Sequence, residues 1–138
     1  MQWENTPCGG FTQPGVTPWL RFGDLSCNVA DQRDDPDSLL TLTRDLIALR
    51  TSMPDLATGA WTGADAPEGV LAYRRGDHCL VVLNLGDDVA TVDGVAGSIL
   101  IGTRRARDAA PVTGSLTLAP AEAVILTTTA VSASNMTP

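Results

Sequence analysis

Lysine is absent from this sequence. Its 9 basic residues are all arginine and face 16 acidic ones, for a net charge of −7. A surface this acidic repels phosphate backbones and anionic lipid headgroups, so neither nucleic acid nor membrane is an expected partner. Histidine occurs once, at His78, and cysteine three times, at Cys8, Cys27 and Cys79, with no CxxC spacing. That supply is too thin for a zinc site or a disulfide framework, and free thiols in a reducing compartment are the simplest account. No apolar run approaches the roughly 20 residues needed to cross a bilayer. The opening MQWENTPCGG has neither the basic segment nor the apolar stretch of a secretory signal, which leads to a cytoplasmic expectation.

What is present suits a folded protein. The 138 residues are 43% hydrophobic, enough for one ordinary domain, or a small domain with an appendage. Residues 1–35 hold Pro7, Gly9, Gly10, Pro14, Gly15, Pro18 and Gly23 and keep no helical or alternating period. Such long structureless stretches are uncommon inside compact domains. This one also carries Trp3, Phe11, Trp19 and Phe22, which are costly to leave in water. A loop with so many apolar anchors needs a surface to lie on, and the rest of the chain is too small to offer an obvious one.

A helix is expected over residues 36–53. Asp35 can act as its N-cap, Pro36 suits the first position, and Asp37 complements the helix dipole. Leu39, Leu42, Leu46, Leu49 and Met53 recur at steps of three and four, and Leu40 and Ile47 widen the stripe, as for a helix packed on a large core. Pro54 marks its stop. Beyond residue 68 the pattern changes to strands, at Gly69–Arg75 and His78–Leu85 around a Gly76-Asp77 turn. Further strands are expected at Val89–Val92, Ser98–Thr103, Ser115–Leu118 and Glu122–Thr129. Short strands at this spacing predict a mainly β fold, an antiparallel β-sandwich. Val131–Pro138 is small and polar and reads as a disordered tail.

The carboxylates do not form an obvious site. Most of the 13 Asp and three Glu are explained as caps, turns or surface charge. The Asp31–Asp37 cluster lacks calcium-loop spacing and a closing bidentate Glu, so a capped helix start explains it better. Asn135-Met136-Thr137 fits the glycosylation pattern, but with no secretory signal it has no route to modification. No metal and no cofactor is expected.

Several separated motifs then occur in a recognisable order. Met1-Gln2-Trp3, Gly10-Phe11-Thr12 and Pro18-Trp19-Leu20 are followed by Asn28-Val29, Gln32 and Asp34-Asp35-Pro36-Asp37-Ser38-Leu39-Leu40. Leu46-Ile47-Ala48-Leu49-Arg50, Pro54-Asp55-Leu56, Gly59, Tyr73-Arg74, Leu80-Val81-Val82-Leu83-Asn84-Leu85 and Leu118-Ala119-Pro120-Ala121-Glu122-Ala123 complete the series. The sequence thereby resembles the C-terminal part of α-glucosidases and oligo-1,6-glucosidases of the α-amylase superfamily, glycoside hydrolase family 13. The resemblance covers roughly residues 1–129.

The resemblance implies that residues 1–56 are the tail of a (β/α)8 barrel, namely the loop after strand 8 and helix 8. Residues 57–130 would then be the C-terminal β-sandwich and 131–138 a disordered tail. A whole barrel takes about 250 residues, so it would lie outside this chain. The family's catalytic carboxylates sit on earlier barrel strands, no residue here takes their role, and the chain is expected to be inactive alone. Gln2, Trp3 and Phe11 would line the aglycone side of the pocket in the complete enzyme, or pin the loop to the barrel. Glu4 departs from the Asp usual after this Trp, which leaves substrate preference open. The implied function is the non-catalytic, bracing portion of a retaining, exo-acting α-glucosidase acting on α-linked gluco-oligosaccharides. Its partner would be the barrel portion, or a second copy met through the exposed helix face. A free-standing carbohydrate-binding β-sandwich and the tail of a sucrose isomerase, a trehalose synthase or a catalytically dead transporter subunit are the alternatives. Glycosidic linkage preference stays open.

Overall fold

A computed structural model describes residues 1–128, so the expected tail and the Asn135 pattern lie outside the described residues. The chain divides into two compact units, Met1–Ile47 and the portion from Ala48 onward.

The second unit is built on one antiparallel sheet of six strands. They are β1 (Trp61–Gly63), β2 (Val70–Arg75), β3 (Cys79–Asn84), β4 (Ala90–Gly102), β5 (Pro111–Leu118) and β6 (Ala123–Thr128). The spatial order is β1-β2-β3-β6-β4-β5. The mainly β, antiparallel expectation holds, with three local differences, one being that β5 begins at Pro111 rather than Ser115. β1 was not foreseen, because three residues are too few to show a period. The segments Val89–Val92 and Ser98–Thr103 form one strand rather than two. Within the gap between those two segments the strand continues through a bulge between Asp93 and Val95, and a second register shift falls between Ile99 and Ile101. Bulges bend a strand and strengthen its twist.

The bend in β4 makes the fold. Its first part, Ala90–Ser98, pairs with β5, and its second, Gly97–Gly102, pairs with β6. At the changeover, a Cβ on Gly97 would stand 1.7 Å from the Thr127 carbonyl oxygen, so only glycine lets the two backbones approach. The sheet curls over itself, and residues far apart in strand order share one core. Ala72 of β2, Leu80 and Val82 of β3, Val92 of β4, Leu116 of β5 and Leu126 of β6 all belong to it.

β3 is central and covered on both faces. Leu80 and Val82 face the main core, while Cys79 and Val81 join Leu56 in a second cluster flanked by Leu49 and Met53. Two polar hubs close the ends. The Asn84 Nδ2 donates to Asp88 O at 2.7 Å and Ala119 O at 2.9 Å. The buried Glu122 accepts from Arg107 Nη1 and from the Ala119 amide, each at 2.7 Å.

Three helices precede the sheet: α1 (Val29–Arg33), α2 (Leu39–Ser52) and α3 (Pro54–Thr58). α2 starts three residues later than expected. Asp35 accepts from the Asp37 amide and makes a turn, whereas Ser38 Oγ accepts from the Thr41 amide at 3.2 Å and acts as the cap. Met53 leaves helical geometry before Pro54, as anticipated, but Pro54 then opens α3, with proline at a first helical position. The apolar stripe of α2 has no buried residue, and Leu39, Leu46 and Ile47 are exposed.

Candidate functional site

The aromatic loop of the first unit is ordered by hydrogen bonds rather than by an apolar core. Trp3 N donates to Gly9 O at 2.8 Å, which folds residues 3–9 into a tight turn. Gln2 and Asn28 form a parallel bridge, with Val29 N donating to Gln2 O at 2.9 Å and Ala30 N to Trp3 O at 3.0 Å. Asn28 is the hub. Its Oδ1 caps α1 through the Asp31 amide at 2.9 Å, and its Nδ2 donates to Leu25 O at 3.0 Å and Asp31 Oδ2 at 2.6 Å. Gln32 ties the far side, accepting from the Leu40 amide at 3.1 Å and donating to Cys27 Sγ at 3.3 Å. Asp24 holds the Ser26 hydroxyl and amide, and these two bonds keep its carboxyl below its ordinary range.

The three residues singled out in this loop have different fates. Gln2 is 8% exposed, and with its amide oxygen facing Gly23 N at 2.8 Å its nitrogen reaches Cys27 O at 3.2 Å. Its hydrogen-bonding groups are thus spent on the loop itself. Trp3 and Phe11 are 54% and 51% exposed. Phe11 stacks on Phe22, with ring centroids 5.6 Å apart, which fixes its plane. Trp19 is 92% exposed, and Leu20 and Val16 also face solvent. The loop therefore presents rings on a hydrogen-bonded frame.

A second aromatic pair lies on the sheet. Trp61 of β1 is opposite Arg75, and Gly63 is opposite Tyr73, so Trp61 and Tyr73 share the face turned away from Ala72. The rings stack at 6.2 Å with Trp61 exposed. Sequence reading missed this pairing because β1 was invisible to it. Asn28 was missed as well, although Asn28-x-x-Asp31 is a readable N-cap pattern.

On the opposite face, Thr62, Asp65, Arg74 and Asp93 help to line a groove of about 700 Å³. Among the described residues no three His, Cys, Asp or Glu side chains converge on a point where a metal could sit, and no helix is long and apolar enough to cross a membrane.

No family model matches the sequence. Individual relatives do. The α-glucosidase of Schizosaccharomyces pombe is 39% identical over 57 residues, 40% of this chain and 10% of that protein. A probable α-glucosidase of Rhizobium meliloti is 32% identical over 96 residues, 66% of this chain and 17% of that protein. The oligo-1,6-glucosidase of Halalkalibacterium halodurans is 37% identical over 91 residues, 61% of this chain and 16% of that protein. Among solved structures, the isomaltulose synthase of Klebsiella sp. LX3 superposes with a TM-score of 0.79 at 28% identity, over 91% of this chain and 24% of that one. The trehalulose synthase of Pseudomonas mesoacidophila MX-45 gives 0.80 at 28%, over 93% and 24%. The chain thus spans about a quarter of these solved structures and less than a fifth of the curated relatives. With its antiparallel β-domain and its ordered motifs, the chain is a relative of the α-glucosidases and oligo-1,6-glucosidases of glycoside hydrolase family 13.

Proposed function

We propose that this chain supplies the part of an α-glucosidase-type enzyme that braces a (β/α)8 barrel portion, with the catalytic carboxylates carried by that portion. Residues 1–56 are then the barrel's tail and 57–130 the bracing β-domain, in a cytoplasmic enzyme whose three thiols stay reduced. The reaction served is retaining cleavage of α-linked gluco-oligosaccharides, which needs two carboxyl groups about 5–5.5 Å apart. One observation carries this reading. Leu39, Leu46 and Ile47 have the spacing of a packed helix face, yet they are exposed, as are Trp3, Phe11 and Trp19. Apolar surface of this extent stabilises an association by about 25 cal/mol for each Å² it buries. In the assembled enzyme Trp3 and Phe11 offer ring faces to the aglycone side of an α-glucosidic oligosaccharide, and Gln2 holds the loop that carries them.

Two measurements test this. The purified 138-residue chain should not turn over a chromogenic α-glucoside, and turnover that follows the chain through purification defeats the reading. Co-expressed with the barrel portion of a family-13 α-glucosidase, the chain should co-purify with it, and Leu46→Asp with Ile47→Asp should abolish the co-purification.

The Trp61–Tyr73 pair favours a second reading, a free-standing carbohydrate-binding module. Sugar rings stack on an exposed indole, and this one lies beside a second ring on a rigid sheet. Titration with maltose and isomaltose, followed by tryptophan emission, should then saturate, and Trp61→Ala should remove the signal. A flat titration leaves the bracing role.

A further inference from the structure

The β2–β3 hairpin meets α3 at the Asp55 carboxylate. Asp55 Oδ2 accepts from the backbone N–H of His78 at 3.0 Å and faces its ring Nδ1, also at 3.0 Å. The turn presses closely on this group. A Cβ on Gly76, whose φ is 57°, would stand 2.5 Å from Asp55 Oδ1. Any side chain there pushes the carboxylate out of its seat.

The other charged or titratable groups around the fastening come from each neighbouring element. Asp77 belongs to the turn, and its N–H also faces the carboxylate. Cys79 is the first residue of β3. Arg50 of α2 and Arg75 of β2 meet at the Leu56 carbonyl, at 2.7 and 3.4 Å. Beneath lies the apolar seam of Leu56, Cys79 and Val81, flanked by Leu49 and Met53, with the Cys79 side chain shut off from solvent.

We propose that Asp55 and His78 form an acid-released clasp that keeps α3 and the last turn of α2 closed over the Cys79 thiol. The hydrogen bond needs a proton on Nδ1, which the ring carries as an imidazolium or as the Nδ1–H tautomer. The bond from the His78 amide is independent of the ring, and protonating the carboxylate is what weakens the clasp. The His78 ring, and then its amide, hold the Asp55 carboxyl below the ordinary value of 3.8. The sign follows from linkage. A depressed acid contributes fully above its unfolded value, and the contribution is lost as pH falls through the lower folded value. Because the pair faces solvent, its loss opens the seam locally and leaves the sheet standing. The closed form also protects the thiol, which is pushed up first by burial and then by the Asp55 charge.

The test uses the full chain carrying Cys8→Ser and Cys27→Ser, so that Cys79 is its only thiol. Labelling by an aromatic disulfide that reacts in acid is timed between pH 2 and 7, and global stability is measured in parallel by urea. Asp55→Asn should label about tenfold faster than the parent at pH 7 with the urea midpoint nearly unchanged, and Gly76→Ala should label at least as fast but with a lowered midpoint, because alanine is strained at a φ of 57°. The parent should accelerate as pH drops below about 3.8, whereas Asp55→Asn should stay flat. Equal rates for all three proteins across the range, or labelling that tracks global unfolding, overturn the clasp. His78→Ala removes the ring and keeps the amide, so it serves if the other variants fail to fold. Its rate should fall between those of parent and Asp55→Asn, and a rate equal to the parent's overturns the proposal.

Discussion

The two units of this chain are held together by different physics. From Ala48 onward, side chains such as Val82, Leu118 and Leu126 are wholly buried, and both faces of β3 are covered. In Met1–Ile47 the buried side chains are Gln2, Asn28 and Ser38, all polar, while Trp3, Phe11, Trp19 and Ile47 face outward. The β-domain is an apolar core with a polar skin. The loop unit is a polar frame with an apolar skin. A polar frame gives shape, because hydrogen bonds are directional, but each adds only about 1 kcal/mol net. Exposed rings supply driving force to any interface that buries them, which is the property the proposed bracing role draws on.

The largest expected effect falls on the β-domain. Leu126→Ala empties a site at the crossing of β6 with the main core, and Leu126 is wholly buried. Such truncations cost about 2–5 kcal/mol, the transfer term plus the cavity left behind. Urea unfolding followed by far-UV circular dichroism should show a loss near the middle of that range. A loss below about 1 kcal/mol would mean that the core relaxes around the gap and that the contrast between the units is overdrawn.

What could be read from the sequence follows the same division. The apolar runs Leu80-Val81-Val82-Leu83 on β3 and Val124-Ile125-Leu126 on β6, and the alternation Leu116-Thr117-Leu118 on β5, report burial directly, so these strands and the fold class were legible. The course of β4 was not, since Asp93-Gly94 has the composition of a turn whether the strand ends there or bulges. α2 was legible as an apolar stripe, but its start was misplaced because Asp35 and Ser38 are both good caps. Only the folded backbone shows that Ser38 Oγ meets the Thr41 amide. In the loop unit, periodicity carries no information about a frame built from Asn28, Gln2 and Gln32. The candidate residues there came from resemblance, which points to Trp3 and Phe11 as rings but does not foresee that Gln2 is consumed by Gly23 and Cys27.

The next effect sharpens the comparison from the polar side. Asn28→Ala removes the α1 cap and leaves the Leu25 carbonyl and the Asp31 amide without their partner. A lost cap costs about 0.5–2 kcal/mol, and an orphaned buried group adds to it. Hydrogen exchange at the Ala30 and Asp31 amides should accelerate by about tenfold, equivalent to 1.4 kcal/mol. If Asn28→Ala left these amides protected, the loop unit would owe its shape to apolar contacts after all.

A smaller effect has the opposite sign. Ala121 holds a φ of 54° in the turn that leads to Glu122. A left-handed conformation costs an L-residue roughly 1–2 kcal/mol, while glycine adopts it freely but loses more entropy on folding. Ala121→Gly should therefore raise the stability of the β-domain by about 0.5 kcal/mol, read as a higher urea midpoint at unchanged slope. A decrease would show that the Glu122 bonds to Ala119 and Arg107 already offset the strain.

The smallest effect on stability is the one that bears most on function. Trp19 is 92% exposed, so its side chain adds little to the fold of the chain on its own. Trp19→Ser should change folding stability by less than about 0.5 kcal/mol, as surface substitutions do. Self-association is a different matter, because an indole buried at an interface contributes in proportion to the apolar area it removes from water. Sedimentation velocity across a concentration series should show oligomers of the parent chain receding in Trp19→Ser, with urea unfolding unchanged. The two readouts separate a residue that builds the fold from one that awaits a partner. A loss of stability without a change in association would place Trp19 in the frame rather than on the skin, and the comparison between the two units would fail at its most exposed residue.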